Sequence, residues 1–168
     1  MDTDREEMTI RPAEKEDARQ IAEILVEDWQ KAYRGIIDGA YLDAMSVEER
    51  TEREAGRYGI YRVASRGKEI LGFAWNDMTG GGDADCEIIA LYVRHGLRGS
   101  GIGRALFRDA AARFRAAGKK TMAVWCLRDN LEARKFYERM GGKADRPGTH
   151  PWGGRDYPMI SYLWHLEE

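Results

Sequence analysis

Residues 86–114, CEIIALYVRHGLRGSGIGRALFRDAAARF, decide the fold that we predict for this chain. The stretch begins with a mostly apolar run, residues 87–93, whose β-branched and aromatic side chains are typical of a buried strand. It continues with Arg98-Gly99-Ser100-Gly101-Ile102-Gly103, and apolar residues then recur at helical spacing from Leu106 to Phe114. We therefore predict a strand, a glycine turn and a helix in direct succession.

A helix that begins at a glycine turn offers a binding site for an anion. The first backbone N–H groups of a helix have no partner inside it, and the helix dipole adds partial positive charge there. Glycines also lack the Cβ atoms that would keep a diphosphate away from those donors. The local chemistry therefore favours phosphate binding over a plain glycine turn.

The glycine spacing differs from that of two common nucleotide motifs. A P-loop needs Lys and then Ser or Thr after its last glycine, whereas Ile102 and Gly103 follow Gly101 here. In a dinucleotide fingerprint counted from Gly99, the bulky Arg104 takes the position of the last glycine. The turn alone therefore does not identify the phosphate ligand.

Length and composition limit the class of protein. With 168 residues, of which 43% are hydrophobic, we expect one domain, residues 1–168, with room for a core. A net charge of −2 argues against binding nucleic acid through a basic surface. No apolar run approaches the roughly 18 residues of a membrane span, and Met1 leads into charged residues rather than a signal peptide. We expect a soluble, cytoplasmic protein that binds neither nucleic acid nor membrane.

The two cysteines, Cys86 and Cys126, lie in predicted strands. We expect both to be reduced, buried thiols that pack as small hydrophobic side chains. The three histidines show no sequence relation to either cysteine that would indicate a catalytic pair, and no His or Cys spacing indicates zinc. We therefore expect no metal.

Periodicity along the rest of the chain predicts the order of the elements. That order gives an α/β fold in which a mixed β-sheet of about seven strands has helices on both faces. The predicted strands are 8–11, 60–65, 69–77, 86–93, 121–127, a short one near 143–145, and 158–166; the predicted helices are 15–33, 40–44, one that begins after Ser46, one that follows the glycine turn, and one within 129–141; loops are expected at 79–83 and 147–156.

The helix after Ser46 begins with Ser46-Val47-Glu48-Glu49, which matches a capping box. It carries four glutamates, and we expect this side of the helix to be exposed to solvent. They are Glu48, Glu49, Glu52 and Glu54.

Two motifs, in order and at a spacing of one helix plus one strand, resemble those of the GNAT superfamily of acyl-coenzyme A-dependent N-acetyltransferases. The resemblance covers nearly the whole chain. The family's pyrophosphate motif, Arg/Gln-x-x-Gly-x-Gly/Ala, is matched by Arg98, Gly101 and Gly103. Its downstream motif is matched by Asn130, Ala133, Phe136, Tyr137, Glu138 and Gly141.

The resemblance implies a GNAT-like fold and acetyl-coenzyme A as the cofactor. Its pyrophosphate would bind the N–H groups of the glycine turn, and its pantetheine arm would lie between two strands that splay apart in this family. The cofactor-binding residues implied are Leu91, Tyr92, Val93, Arg98, Gly99, Ser100, Gly101, Ile102, Gly103, Arg104, Asn130, Ala133 and Tyr137.

The resemblance also suggests the catalytic groups. Glu87, at the start of the central strand, would be the base that deprotonates the amine, with Asp85 as the alternative. Tyr137 would be the acid that protonates the departing thiolate, and a strand amide such as that of Leu91 would stabilise the oxyanion. The structural alternatives are a Glu87 that pairs with an arginine and a Tyr137 that only packs in the core. We expect direct attack of the amine in a ternary complex.

The acceptor is expected to be a primary amine of a small molecule. Two alternatives stay open, a protein N-terminal or lysine acetyltransferase and a non-catalytic acyl-coenzyme A sensor. Aromatic side chains would form the acceptor pocket and, with the carboxylates, suit a small cationic amine, although the same side chains would also suit a homodimer interface. The candidates are Trp29, Tyr33, Trp75, Trp152 and Tyr157, with His150 beside them.

Overall fold

The computed structural model describes residues 7–80 and 84–166, so part of the glycine-rich loop predicted at 79–83 lies outside the described residues. The described chain forms seven strands and five α-helices, joined in places by single 3-10 turns. In chain order these are β1 (Thr9–Pro12), α1 (Ala18–Ala32), α2 (Gly39–Asp43), α3 (Val47–Ala55), β2 (Tyr61–Arg66), β3 (Glu69–Asp77), β4 (Cys86–Val93), α4 (Ile102–Ala116), β5 (Thr121–Leu127), α5 (Leu131–Arg139), β6 (Lys143–Trp152) and β7 (Arg155–His165).

The strands form one sheet in the order β1-β2-β3-β4-β5-β7-β6. The pair β4–β5 is parallel and the other neighbours are antiparallel. On one face, Ile21 and Leu25 of α1 pack against Phe73 of β3. On the other face, Ile102 and Leu106 of α4 pack against the alternate residues of β2 and β3. The predicted mixed sheet with helices on both faces is confirmed.

The parallel pair β4–β5 is short. The two strands are in register only from Cys86, opposite Met122, to Ile88, opposite Val124. A bulge shifts the register between β4 and β3 at the same point, because Trp75 pairs with Ala90 while the next residue of β3 pairs with Ile88. Strand β4 continues beyond Ile88 and β5 continues beyond Val124, but the two no longer pair with each other. This opens the gap in the sheet that the family resemblance implied.

The segment 147–156 is not a loop. It belongs to the hairpin of β6 and β7, whose two-residue turn consists of Gly153 and Gly154 at φ of 60° and 79°. Two consecutive residues with positive φ make the primed turn that fits the twist of a hairpin. The strand tolerates Pro147 and Pro151 because β6 is the edge of the sheet, where a missing N–H costs little. The prediction of a loop here was wrong.

Helix α3 begins as predicted, since the Ser46 hydroxyl accepts a hydrogen bond from the amide of Glu49 at 3.3 Å. The expectation that Glu54 is exposed was wrong. Its side chain is fully buried and accepts hydrogen bonds from Arg50 Nε at 3.0 Å and from Arg57 Nη2 at 2.9 Å. The arginines lie four residues before and three after Glu54, so they reach it along one side of the chain.

The Glu54 carboxylate is stabilised in its charged form. Burial alone would raise its pKa, but hydrogen bonds from Arg57 and Tyr61 and the two arginine charges hold the pKa below its usual range. A carboxyl whose pKa is lower in the folded state stabilises the fold at neutral pH. This contribution is lost as the pH falls through the lowered pKa.

We predict that Glu54→Gln lowers the free energy of unfolding at pH 7 by about 3 kcal/mol, because it removes the charge that two partly buried arginines share. Urea unfolding at several pH values measures this loss, which should shrink at acid pH as the native carboxyl becomes protonated. Glu52→Gln, an exposed substitution on the same helix, is the control, with an expected change below about 0.5 kcal/mol. Equal losses in the two variants would contradict the role given to Glu54.

Candidate active site

The gap between β4 and β5 opens into a cleft of about 490 Å³. Its walls come from the part of β4 that no longer pairs with β5, from the glycine turn with the start of α4, and from the inner side of α5. The cleft brings together all the predicted cofactor-binding residues except Ser100: Leu91, Tyr92, Val93, Arg98, Gly99, Gly101, Ile102, Gly103, Arg104, Asn130, Ala133 and Tyr137. Ser100 is exposed on the turn, where its hydroxyl and its amide both bond to the carbonyl of Leu97.

The glycine turn has the features of an anion cradle. Gly99 and Gly101 adopt φ of 81° and 88°, in the left-handed region that glycine occupies without strain. A Cβ atom at either position would meet no atom within 4 Å, so the space in front of the turn is open. None of the backbone hydrogen bonds formed by the described residues is donated by the amides of residues 101–104. Several N–H donors at a helix N-terminus therefore face open space.

Gly103 serves the packing rather than the cradle. A Cβ atom at this position would touch Val93 at 3.4 Å and the ring of Phe136 at 3.5 Å. The first turn of α4 therefore lies close to both β4 and α5, which fixes the position of the free amides relative to the cleft.

Helix α5 begins at Asn130, whose Oδ1 accepts a hydrogen bond from the amide of Ala133 at 3.3 Å. The capping role is confirmed, and the same residue lines the cleft. Capping fixes the start of the helix that carries Tyr137.

Arg98 forms ion pairs with Asp28 of α1 and with Glu132 of α5, the second at 2.8 Å. All three residues line the cleft, so the guanidinium joins two helices across it. Asp28 is buried, and its pairing with Arg98 removes a negative charge that would otherwise repel an anion at the turn. Sequence reasoning missed both carboxylates, because a polar residue on a helix is usually solvated.

A second cavity, of about 650 Å³, adjoins the cleft on the face of the sheet that α1 covers. It contains Glu87 together with Trp75 and His150, whereas Tyr33 lines only the first cleft. Tyr157 lines neither, being buried where its hydroxyl accepts a hydrogen bond from the amide of Asp38. Seven residues line both cavities, which are therefore adjacent: Trp29, Ile89, Ala90, Tyr92, Trp125, Trp152 and Met159.

An aromatic cluster forms the wall between the cavities. The indole N–H of Trp29 donates to the Tyr92 hydroxyl at 2.9 Å, and the Trp29 ring lies 4.9 Å from that of Tyr33 and 5.4 Å from that of Trp152. Tyr92 was predicted only for its place on the strand, yet its side chain holds Trp29 in position. Such a wall would orient an acceptor by shape.

Glu87 is half-buried in β4 and lies opposite Asp77 of β3. Burial, and to a lesser degree the negative charge of Asp77, raise the pKa of the Glu87 carboxyl above its ordinary value. Among the described residues it forms no ion pair, so the alternative that it pairs with an arginine is not realised. A carboxylate with a raised pKa and no partner is suited to accept a proton.

Asp85 lies outside both cavities. Its carboxylate accepts hydrogen bonds from the amides of Lys120 at 2.9 Å and Thr121 at 3.2 Å, and these bonds lower its pKa. Its structural role at the start of β5 disfavours it as the alternative base.

Tyr137 is buried, and its ring lies 5.3 Å from that of Phe136 while the residue lines the first cleft. Burial raises its pKa, so the hydroxyl keeps its proton at neutral pH. None of the hydrogen bonds formed by the described residues uses this hydroxyl. The Tyr137 side chain therefore packs in the core and also keeps a hydroxyl proton that no described residue accepts.

The two cysteines are free thiols. Cys86 is fully buried as expected, whereas Cys126 is half-buried and lines the first cleft. Burial raises the pKa of the Cys126 thiol to about 11, so it is protonated at neutral pH and is a poor nucleophile. Within residues 7–80 and 84–166, no three His, Cys, Asp or Glu side chains gather as metal ligands.

Three arginines of the α3 region, Arg50, Arg53 and Arg57, line the second cavity. Sequence reasoning missed them, because a helix rich in charged residues is usually solvated.

No helix in the part of the chain that the structure describes is long and apolar enough to cross a bilayer.

Comparison with known proteins agrees with this geometry. A profile of the acetyltransferase (GNAT) family matches residues 18–142. The chain is 28% identical over 130 residues, 73% of each chain, to an uncharacterized N-acetyltransferase of Bacillus subtilis, YuaI, and 29% identical over 166 residues, 91% of each chain, to a probable N-acetyltransferase of Mycobacterium tuberculosis. In structure it is similar to the Salmonella typhimurium protein yncA, solved with its cofactor acetyl-CoA, with a TM-score of 0.67, 21% identity, and coverage of 96% of this chain and 95% of the other. GNAT acetyltransferases use acetyl-CoA. The chain belongs to the GNAT family of acetyltransferases.

Proposed function

We propose that this protein transfers an acetyl group from acetyl-CoA to a primary amine of a small molecule, by direct attack in a ternary complex. The observation that carries the proposal is that the two cavities adjoin along a shared wall. One begins at the free amides of residues 101–104, and the other contains the unpaired carboxylate of Glu87.

The residues of the first cleft fit the cofactor. The open space at Gly99 and Gly101 accommodates the two phosphates, which the amides of residues 101–104 would bind. The part of β4 that no longer pairs with β5, residues 89–93, would offer backbone groups on that side to the pantetheine arm. Acetyl-CoA supplies the acetyl group as an activated thioester.

Glu87 would act on the acceptor. An alkylamine is mostly protonated near neutral pH and cannot attack a carbonyl carbon until it loses a proton. The carboxylate of Glu87, half-buried and without an ion pair, takes that proton, directly or through one water.

Tyr137 would act on the leaving group. Its raised pKa keeps the hydroxyl protonated, and its place in the first cleft allows that proton to pass to a departing sulfur. Glu87 and Tyr137 line different cavities, so the shared wall is where the two proton transfers would meet.

We predict that Gly101→Ala weakens binding of coenzyme A about tenfold or more, because a methyl group enters the phosphate space. Isothermal calorimetry measures the Kd. Gly118→Ala is the matched control, since Gly118 follows the other end of α4 with φ of 79° and also has no atom within 4 Å of a new Cβ. Both variants carry similar backbone strain, so equal affinities in the two would contradict the cradle.

We predict release of the coenzyme A thiol when the protein is mixed with acetyl-CoA and small primary amines, and a much lower kcat in Tyr137→Phe. The coenzyme Kd should change little, because the phenol contributes its proton rather than binding. A thiol assay over a panel of amines and of peptides with free N-termini or lysines gives the rates. Turnover of peptides alone would replace the small-molecule acceptor with a protein, and unchanged turnover in Tyr137→Phe would return Tyr137 to the core.

We predict that the effect of Glu87→Gln depends on pH. The variant should lose about 10²-fold in kcat/KM near neutral pH, where the acceptor is protonated and needs a base. The loss should shrink as the pH approaches the pKa of the amine, because free amine then attacks unaided. A constant ratio of the two rates between about pH 7 and 10 would exclude Glu87 as the base.

A further inference from the structure

The second cavity has a positively charged wall in addition to its carboxylate. Arg50, Arg53 and Arg57 follow one another at intervals of three and four residues, which places them along one side of the α3 region. All three line the cavity. The acidic residue that shares this lining with them is Glu87, on the central strand.

The charges of these arginines are only partly balanced. Glu54, buried behind them, accepts hydrogen bonds from Arg50 and Arg57. The side chain of Arg53 forms no ion pair or hydrogen bond with any described residue. Three positive charges thus face one buried negative charge, and the wall keeps a surplus of about two positive charges.

The guanidinium groups also retain unused donors. Arg50 binds Glu54 through Nε, which leaves both of its Nη groups, and Arg57 binds through Nε and Nη2, which leaves Nη1. Arg57 is held in place by the rings of Trp75, at 5.6 Å, and Tyr61, at 5.9 Å. Oriented guanidinium groups with free N–H donors are suited to bind a carboxylate or another oxyanion.

Glu87 lies apart from this wall. No ion pair joins it to any of the three arginines, and the shift of its pKa arises from burial and from Asp77 rather than from a positive charge. The lining of the cavity therefore combines a carboxylate on the central strand and cations of the α3 region that do not pair with each other, together with aromatic rings.

We propose that the acceptor carries an oxyanion group as well as its amine, as an amino acid does, and that the α3 arginines bind this group while the amine faces Glu87. This inference rests on the proposed function. It replaces the simple cationic amine that the sequence favoured, because a cation alone would leave the α3 wall unmatched. Arg53 is a specificity-determining residue in this arrangement.

The test compares free amino acids with their carboxamides, which lack the anionic group, with each rate expressed per concentration of free amine because the α-amine of a carboxamide also has a lower pKa. We expect kcat/KM to be at least tenfold higher for the carboxylates, a difference that corresponds to about 1.4 kcal/mol. Arg53→Gln should raise KM for the carboxylates about tenfold with little change in kcat, and should leave the carboxamides unaffected. Arg108→Gln, on the exposed side of α4 and outside both cavities, is the control for loss of one positive charge.

Binding without turnover separates this proposal from the proposed function. N-acetyl amino acids and their amides serve as probes of the cavity, and tryptophan fluorescence reports their binding because Trp75 lies beside Arg57. Binding of the acids that Arg53→Gln weakens about tenfold, without thiol release from any amine, would support the anion site and refute the transferase. Amides that bind and react as well as acids, or an Arg53→Gln effect of equal size on both, would overturn the anion site.

Discussion

The separation of β4 from β5 after Ile88 is the constraint on which the rest of the site depends. At that point the bulge opposite Trp75 changes the course of β4 just as its pairing with β5 ends. The side of the backbone from Ile89 to Val93 that would face β5 then lines a cleft instead of pairing with β5. Because β4 leads through the glycine turn into α4, this one irregularity brings together the strand backbone that β5 no longer pairs with, the free helix amides and the two adjacent cavities.

Electrostatics around this gap follow from where each charge can be satisfied. Asp28 is buried near the anion cradle, a position that is tolerable because Arg98 neutralises it and also reaches Glu132. Glu87 and Asp77 lie opposite each other without a cation, and the result is a carboxyl that gives up its proton less readily. The ion pairs of Arg98 therefore neutralise charges that line the first cleft, while the group proposed for proton transfer forms no ion pair with a described residue.

Local patterns predicted the elements that a short segment determines by itself. In the candidate site they likewise predicted the features that lie within one segment, and missed those that depend on residues far away in the sequence. The strands β3 and β5 were placed to the residue, and Ser46 and Asn130 cap their helices as expected. The glycine turn was predictable because alternating glycines directly before a helical pattern are typical of an anion site. The failures depend on distant neighbours. The prolines of β6 disfavour a strand unless it is an edge, which the order of the whole sheet decides, and Glu54 looks solvated until the arginines on either side and Tyr61 enclose it.

Glu54 also explains how one short helix can both stabilise the fold and line the second cavity. A buried carboxylate is costly to desolvate, and two arginines offset that cost only if they are held close to it. Holding them there fixes their orientation, so their unused Nη groups are presented in a defined arrangement. Arg53 takes no part in this network, so it could bind the proposed acceptor without a loss of stability. Glu54, Arg50 and Arg57 therefore stabilise the wall of the cavity. Arg53 adds a positive charge that the fold itself does not need.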